Sequence, residues 1–336
     1  KAQSPLARGR AECEKFAPLV ARRASVTAAF LQRYGTLIAF LALAVGFSIA
    51  APQAFATGAN ALNLLQQITT LSIVAAAATF VMVIGEFDLS VGFVASLAAV
   101  IAFVMLGEGW PILAAVGAGL ASGILAGLAS GALVARYGVP SFVATLAVGT
   151  VVSGLAYWIS GGSSLFSGIP AAYTALGRGD ILGVPVLALW MAAVLIGAQV
   201  VLTRTRFGRR LHAIGDNARA AHLAGLPLGR DRIVTFAVAG ALSALAGLLL
   251  AARLGSVQHT MGEALLLPAY AAVFVGTTAA RSGTPNIGGT FLGVAITGVI
   301  VNGLTIVGAE PFVQRIVTGA IIIAAVLVRR FGTLRQ

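Results

Sequence analysis

Two carboxylates interrupt one of the most apolar parts of the chain. Glu86 and Asp88 fall inside a run that would otherwise continue without charge from residue 61 to residue 107. A charge at the centre of a bilayer costs from about 3 to more than 10 kcal/mol. The carboxylates must therefore lie at a surface, face water or be paired, and either one could bind a proton or a sodium ion. We call their surroundings the acidic segment, which consists of Gly85, Glu86, Phe87, Asp88, Leu89, Ser90, Val91 and Gly92.

The acidic segment also has a structural interpretation. A side-chain oxygen of Asp88 or Ser90 can accept a hydrogen bond from the exposed backbone N–H groups at the start of a helix. A helix is predicted to begin near Val91. Capping accounts for only one of the two acids, so a structural and a functional role both stay open.

A second polar region is the long connection formed by residues 204–232. Asp216 or Asn217 suits the N-cap of a helix, residues 218–224 are mostly strong helix formers, and Gly225 is a stop signal. The predicted helix has two turns and is too short to be stable alone. A charged loop is ordinarily a solvated connection, but a capped helix with a small-residue surface suits docking into a groove of a partner protein.

The sequence lacks the motifs of several kinds of enzyme and metal site. Lys1 and Lys15 are the only lysines, so the chain cannot form a G-x-x-x-x-G-K-[ST] phosphate loop. The single cysteine, Cys13, excludes an intrachain disulfide, and with three histidines it provides no Cys/His metal cluster. We therefore expect the protein to transport a solute and not to catalyse a reaction. The energy for transport would come from an ion gradient or from another subunit.

The composition is that of a membrane protein. Of 336 residues, 59% are hydrophobic and 10% are charged, against about 25% charged residues in a soluble domain. Because a helix needs about 20 apolar residues to cross the hydrocarbon layer, residues 36–336 are predicted to form an all-α, polytopic bundle with about ten transmembrane helices. The candidate helices are residues 36–51, 64–84, 90–107, 111–135, 141–160, 184–203, 233–252, 267–280, 285–307 and 312–328.

The basic residues are unevenly distributed over the predicted connections. With a cytoplasmic N-terminus, nineteen of the 22 lysines and arginines fall in cytoplasmic segments. This positive-inside bias predicts that both termini and the 204–232 loop are cytoplasmic. It also accounts for the net charge of +12 without nucleic-acid binding. Residues 1–35 are predicted to form a basic segment with an amphipathic helix that lies on the membrane lipid.

Uncharged polar residues near helix ends or breaks are candidates for a solute pathway. Each could offer a hydroxylated solute a hydrogen bond worth about 1 kcal/mol, and weak binding suits a conduit that must also release its solute. The alternative is that these residues form interhelical hydrogen bonds that only stabilise the bundle. The candidates are Asn63, Gln66, Gln67, Thr145 and Asn302, with the aromatic Phe142 beside them.

Glycines recur at four-residue spacing in two predicted helices. Without side chains at these points, the backbone of a neighbouring helix can approach closely. The spacing therefore predicts helix packing and not a functional site. The glycines concerned are Gly119, Gly123, Gly127 and Gly131, and then Gly289 and Gly293.

Two of these regions carry a family resemblance. The acidic segment resembles the Gly-Gly-Ile-Asp-Leu-Ser-Val-Gly signature of the ribose-type sugar permeases of bacterial ATP-binding-cassette (ABC) importers. The 204–232 loop is similar to the coupling segment of the same family, and the similarity covers most of residues 60–330. The matching positions of the coupling segment are Gly208, Gly215, Asn217, Ala220, Ala221 and Gly225.

The resemblance implies a permease subunit that pairs with a second identical or homologous permease subunit in the bacterial inner membrane. It also implies a cytoplasmic ATPase that binds the ATP, and a soluble solute-binding protein on the other side. The chain itself would then need no cofactor, and the predicted helix near residues 217–224 would transmit motion from the ATPase. A monosaccharide or a similar small polyol is the expected solute.

The chain departs from the family pattern at three places. Glu86 and Phe87 replace Gly-Ile, residues 266–270 stand where many members have Glu-Leu-x-Ala-Ile, and residues 276–278 replace Gly-Gly-x-Ser. These departures leave the particular sugar open. An ion-coupled secondary transporter that uses Glu86 or Asp88 is the alternative function, and a membrane scaffold without transport is a third.

Overall fold

The structure, a computed structural model, describes residues 35–278 and 283–333, and most of them are helical. The predicted amphipathic helix of the N-terminal segment and Cys13 lie outside the described residues. The helices are α1 (Gly35–Ala50), α2 (Gly58–Val83), α3 (Val91–Gly107), α4 (Ile112–Tyr137), α5 (Ser141–Ser160), α6 (Ala171–Arg178), α7 (Val186–Arg204), α8 (Arg206–Asp216), α9 (Ala218–Leu223), α10 (Leu228–Leu254), α11 (Leu266–Thr278), α12 (Ile287–Ile306) and α13 (Pro311–Thr333), and the strands are β1 (Asp180–Ile181) and β2 (Val184–Pro185).

The ten candidate segments all coincide with helices. In the described part of the chain, α2, α4, α5, α7, α10 and α12 are long and apolar enough to cross a membrane, whereas α1 and α3 are shorter apolar helices and α11 has 13 residues. The protein is therefore a multi-pass membrane protein. Ten full crossings and cytoplasmic termini stay predictions.

The connections contain more structure than the sequence indicated. The connection between α5 and α7 holds α6 and a short antiparallel hairpin of β1 and β2, a minor exception to the all-α prediction. The 204–232 loop holds α8 in addition to the predicted α9, and its last residues already belong to α10. These helices were missed because they are short and amphipathic, so a search for long apolar segments passes over them.

The glycine spacing in α4 is a packing device, as predicted. A Cβ atom at Gly123 would lie 2.5 Å from the Cβ of Ala244 in α10, and one at Gly127 would meet the backbone of Phe236. The glycines of α12 do the same against α11, where a Cβ at Gly293 would meet the backbone of Ala272. Larger residues at these points would separate the helices.

The helix α2 lies in the middle of the bundle. Its residues from Ile68 to Val83 are all buried, and it packs against α7, α10, α11 and α12. Side-chain hydrogen bonds join it to α12, including one of 2.8 Å between the hydroxyls of Thr79 and Thr290. The segment that follows α2 is therefore fixed in place at the point where it leaves the core.

Two of the shorter helices, α3 and α11, begin inside the bundle. Glu86 pairs with Arg232 near the first turn of α10, but a Cβ at Gly247, in the last third of α10, would meet the backbone of Ala95. Between Glu86 and Ala95, the fifth residue of α3, the chain therefore passes from the start of α10 to its last third. The segment before α11 comes to the same place, because a Cβ at Gly92 would lie 2.8 Å from the carbonyl oxygen of Gly262.

Candidate functional site

The backbone of the acidic segment is held by side chains of two other helices. The N–H of Phe87 donates to the hydroxyl of Ser141 over 3.1 Å, and that of Leu89 donates to the hydroxyl of Thr145 over 3.0 Å. Between them, the N–H of Asp88 donates to the Tyr270 hydroxyl over 2.7 Å. Irregular backbone inside a membrane protein requires such partners, so α5 and α11 fix the conformation of this segment.

Asp88 is buried, with 1% of its surface exposed. Its carboxylate accepts a hydrogen bond of 2.8 Å from the N–H of Ser90 and another from the Ser90 hydroxyl. Asp88 therefore pairs with the residue just before α3, and not with an N–H group of the first turn of the helix, so it does not cap α3 in the predicted way. Ser90 occupies the N-cap position of α3, but its own side chain does not accept a capping hydrogen bond, so the alternative prediction of a Ser90 cap is wrong.

Glu86 has different surroundings from Asp88. Its carboxylate lies 3.4 Å from the guanidinium of Arg232, and both side chains are partly exposed. The pairing of Glu86 agrees with the expectation that an acid in this run must be at a surface, face water or be paired. It also ties the start of the acidic segment to the start of α10.

The predicted short helix of the loop is α9. The side chain of Asn217 caps it by accepting a hydrogen bond of 2.9 Å from the N–H of Ala220, so Asn217 and not Asp216 is the cap. Gly225 follows with φ of +76°, a conformation that favours glycine. The two alanines differ, since Ala220 is exposed whereas Ala221 is buried.

The helix α8 precedes α9 and packs closely onto the bundle. Its side chains Leu211 and Ile214 are buried. A Cβ at Gly208 would meet backbone carbonyls at the end of α7, and one at Gly215 would meet the carbonyl of Val83 in α2. Gly208 and Gly215 therefore allow α8 to approach the bundle closely, and a role of either glycine in contact with an ATPase stays a prediction.

An ion pair that the sequence did not indicate connects α8 with α10. The guanidinium of Arg210 forms two hydrogen bonds, of 2.7 and 2.9 Å, with the carboxylate of Asp231. The Asp231 side chain is 1% exposed. Hydrogen bonding to the Asp231 carboxylate raises the pKa of the Arg210 guanidinium, which therefore stays charged. The sequence offered only a weak signal, because Asp231 is one of two acids in a loop that holds seven arginines.

The predicted pathway residues do not gather in one place. Asn302 exchanges two hydrogen bonds of 3.0 Å with Asn60 near the start of α2. Thr145 lies beside the acidic segment and donates to the carbonyl of Ser141 over 2.8 Å. Asn63 and Phe142 are exposed, and Gln66 and Gln67 are partly buried. Asn302 therefore forms the kind of interhelical contact that was the alternative interpretation, whereas Thr145 holds the backbone of Leu89.

Comparison with known families gives the broader identity. The family described as branched-chain amino acid transport system / permease component matches residues 60–326. The chain belongs to this permease family.

The relatives of the permease confirm the resemblance to ribose-type ABC importers. It is 37% identical to the ribose import permease protein RbsC of Bacillus subtilis over 301 residues, which cover 89% of this chain and 93% of that one. It is 35% identical to RbsC of Escherichia coli K12 over 92% of this chain and 97% of that one. The L-arabinose permease AraH of E. coli K12 is 35% identical over 89% and 90% of the two chains.

Proposed function

We propose that this permease carries a monosaccharide or a similar small polyol through the inner membrane of a bacterium. Relatives named for ribose and L-arabinose transport are 37% and 35% identical and each align with 89% of this chain, which supports this class of solute. A separate ATPase would supply the energy, a soluble binding protein would deliver the solute, and a second permease subunit would complete the pathway.

The observation that carries the proposal is the way α8 and α9 are attached to the bundle. The short helix α9 is capped by Asn217 and exposes Leu223 to 81%. Its neighbour α8 is joined to α10 by the Arg210–Asp231 ion pair. A loop that merely connected two membrane spans would need neither a capped helix nor a buried carboxylate. The arrangement suits a surface that receives a partner's motion and passes it to the bundle.

The orientation of the permease follows from the same region. The charge distribution supports a cytoplasmic location for the arginine-rich 204–232 loop, where an ATPase would reach α9. Orientation can be measured with single cysteines at Arg219 and Ser164 in a Cys13→Ser background. An impermeant thiol reagent added to intact cells should label position 164 and not position 219. Labelling of position 219 from outside would exclude the proposed coupling.

The proposed energy source can be tested with the permease reconstituted with its ATPase and binding protein. Uptake of radiolabelled D-ribose and L-arabinose would be measured with and without ATP on the ATPase side. We expect uptake of at least one sugar to require ATP and to persist when ionophores remove the ion gradients. Uptake that needs no ATP and stops with the ionophores would support the ion-coupled alternative. No uptake of small polyols under either condition would exclude this solute class.

A further inference from the structure

A groove on the bundle lies where α5 passes the start of α3 and the irregular segment that precedes α11. It is shallow and open to the outside, with a volume of about 440 Å³. Phe93 at the start of α3 lines it together with His259 and Thr260, which precede α11. The residues of α5 that line it are Thr150, Ser153, Gly154 and Tyr157.

The side chains of the groove combine aromatic rings with hydrogen-bonding groups. The rings of Tyr157 and His259 meet edge to face, with their centroids 5.2 Å apart. Phe93 is held against α5, because a Cβ at Gly149 would lie 2.7 Å from its ring. Three hydroxyl side chains, those of Thr150, Ser153 and Thr260, complete the lining. Flat apolar surfaces with a few polar groups between them suit a small ligand that has both kinds of surface.

One polar atom of the groove has no partner in the described part of the chain. The Nδ1 of His259 is buried and makes no hydrogen bond to any described residue. A buried polar atom left unpaired costs about 1–3 kcal/mol, so such an atom in a native structure calls for an explanation. Rotation of the imidazole would turn this nitrogen toward the groove, where a ligand hydroxyl would supply the missing hydrogen bond.

The backbone beside the groove points to a polar occupant. His259 and Thr260 belong to the irregular segment whose Gly262 meets Gly92, at the start of α3. Irregular backbone inside a membrane protein is tolerated where it is buried or lines a water-filled cavity. A lipid chain would offer the imidazole of His259 no partner, whereas a hydroxylated solute could pair with it.

We infer that this groove is the surface on which the permease binds its solute during passage. The ring of Tyr157 covers the apolar face of a sugar or polyol, and His259 with the hydroxyls of Thr150 and Ser153 pairs with its hydroxyl groups. The inference deepens the proposed function and rests on it. It also locates solute recognition away from Asn302, whose amide is already paired with Asn60.

The first test changes the hydrogen-bonding capacity of position 259. His259→Phe keeps an aromatic ring beside Tyr157 but removes the nitrogen atoms, and His259→Gln keeps a hydrogen-bonding group. Loss of one hydrogen bond predicts ATP-driven uptake that is slower by about fivefold for His259→Phe, with partial recovery in His259→Gln. Equal uptake by both variants and the unchanged permease would overturn the inference.

The second test measures occupancy of the groove directly. Ser153→Cys and Ser164→Cys would each be made in a Cys13→Ser background, so that the chain has one thiol. Ser164 is exposed in the loop after α5 and does not line the groove. D-Ribose or L-arabinose at millimolar concentration should slow maleimide labelling of position 153 and leave that of position 164 unchanged. Equal labelling of position 153 with and without the transported sugar would overturn the inference.

Uptake by the unchanged permease distinguishes failure of the proposed function from failure of the inference about the groove. If it transports neither sugar in the presence of ATP, the proposed function fails before the groove is tested. If it transports one of them but neither His259→Phe nor the protection experiment shows an effect, the proposed function stands and the groove is not the binding surface. Destabilised protein is recognised by a lower amount of inserted permease, to which every uptake rate is normalised.

Discussion

The hydroxyl of Tyr270 forms two hydrogen bonds with the backbone of Asp88. It accepts one from the N–H over 2.7 Å and donates one to the carbonyl oxygen over 2.9 Å. The ring of Phe87 packs on the same tyrosine, with 5.9 Å between the ring centroids. Phe87 and Tyr270 are both departures from the ribose-type sequence pattern. In the fold they form a single contact, which joins α11 to the acidic segment.

Replacing Tyr270 with Phe removes this hydroxyl and keeps the ring. Two buried backbone groups of Asp88 then lose their partner, which should lower the free energy of unfolding by about 1–3 kcal/mol. The measurement is the thermal unfolding of the purified permease in detergent. Tyr137→Phe is the control, because Tyr137 is 76% exposed at the end of α4. Equal unfolding temperatures for the two variants would show that the Tyr270 hydroxyl does not stabilise the acidic segment.

The ion pair between Arg210 and Asp231 should be needed for coupling. Arg210→Ala leaves the Asp231 carboxylate buried without its cation, which is unfavourable, and frees α8 from the start of α10. We expect the stimulation of ATP hydrolysis by the loaded binding protein to fall. Arg209→Ala is the matched control, since within the described residues the Arg209 side chain donates only to the carbonyl of Arg204, over 3.4 Å. The same loss of stimulation in both variants would attribute the effect to positive charge and not to the ion pair.

The two alanines of α9 should respond differently to substitution. Ala220→Glu changes an exposed position next to the exposed Leu223, so it should weaken co-purification with the ATPase while the permease stays folded. Ala221→Glu introduces a charge at a position that is 5% exposed, so it should reduce the amount of inserted permease. If Ala220→Glu with Leu223→Glu left both co-purification and uptake at the native level, α9 would not be the coupling element.

The sequence predicted the membrane helices well because their signal is long and repeated. An apolar run of about 20 residues is unambiguous, and a four-residue glycine spacing such as that of Gly123 and Gly127 identifies a packing face. The α9 cap at Asn217 and the stop at Gly225 were also predictable, since capping depends on a few neighbouring residues.

Contacts between distant parts of the chain could not be predicted in the same way. Nothing in the local pattern around Asp231 indicates Arg210 as its partner, and Tyr270 is 182 residues from Asp88. The groove was equally unpredictable from local sequence, because Phe93, Tyr157 and His259 lie on three separate segments. None of the three belongs to a recognisable sequence motif. They come together only because the start of α3 and the segment before α11 meet beside α5.

The paired amides of Asn60 and Asn302 provide a test between a structural and a pathway role. Each side chain donates to the other over 3.0 Å, joining the start of α2 to α12. Asn302→Ala should destabilise the permease by about 0.5–1.5 kcal/mol, as expected for lost hydrogen bonds between membrane helices. Because the two residues share one interaction, Asn60→Ala combined with Asn302→Ala should cost less than the sum of the single changes.

Uptake separates the two roles of this pair. If the pair is structural, sugar uptake normalised to the folded permease should be unchanged in Asn302→Ala, and a lower unfolding temperature should be the only effect. Asn63→Ala, at an exposed position of the same helix α2, controls for loss of an amide at this end of the bundle. Native stability together with a large loss of uptake in Asn302→Ala would show the opposite. The amide would then contact the solute, and the predicted pathway would pass between α2 and α12 instead of along the groove beside α5.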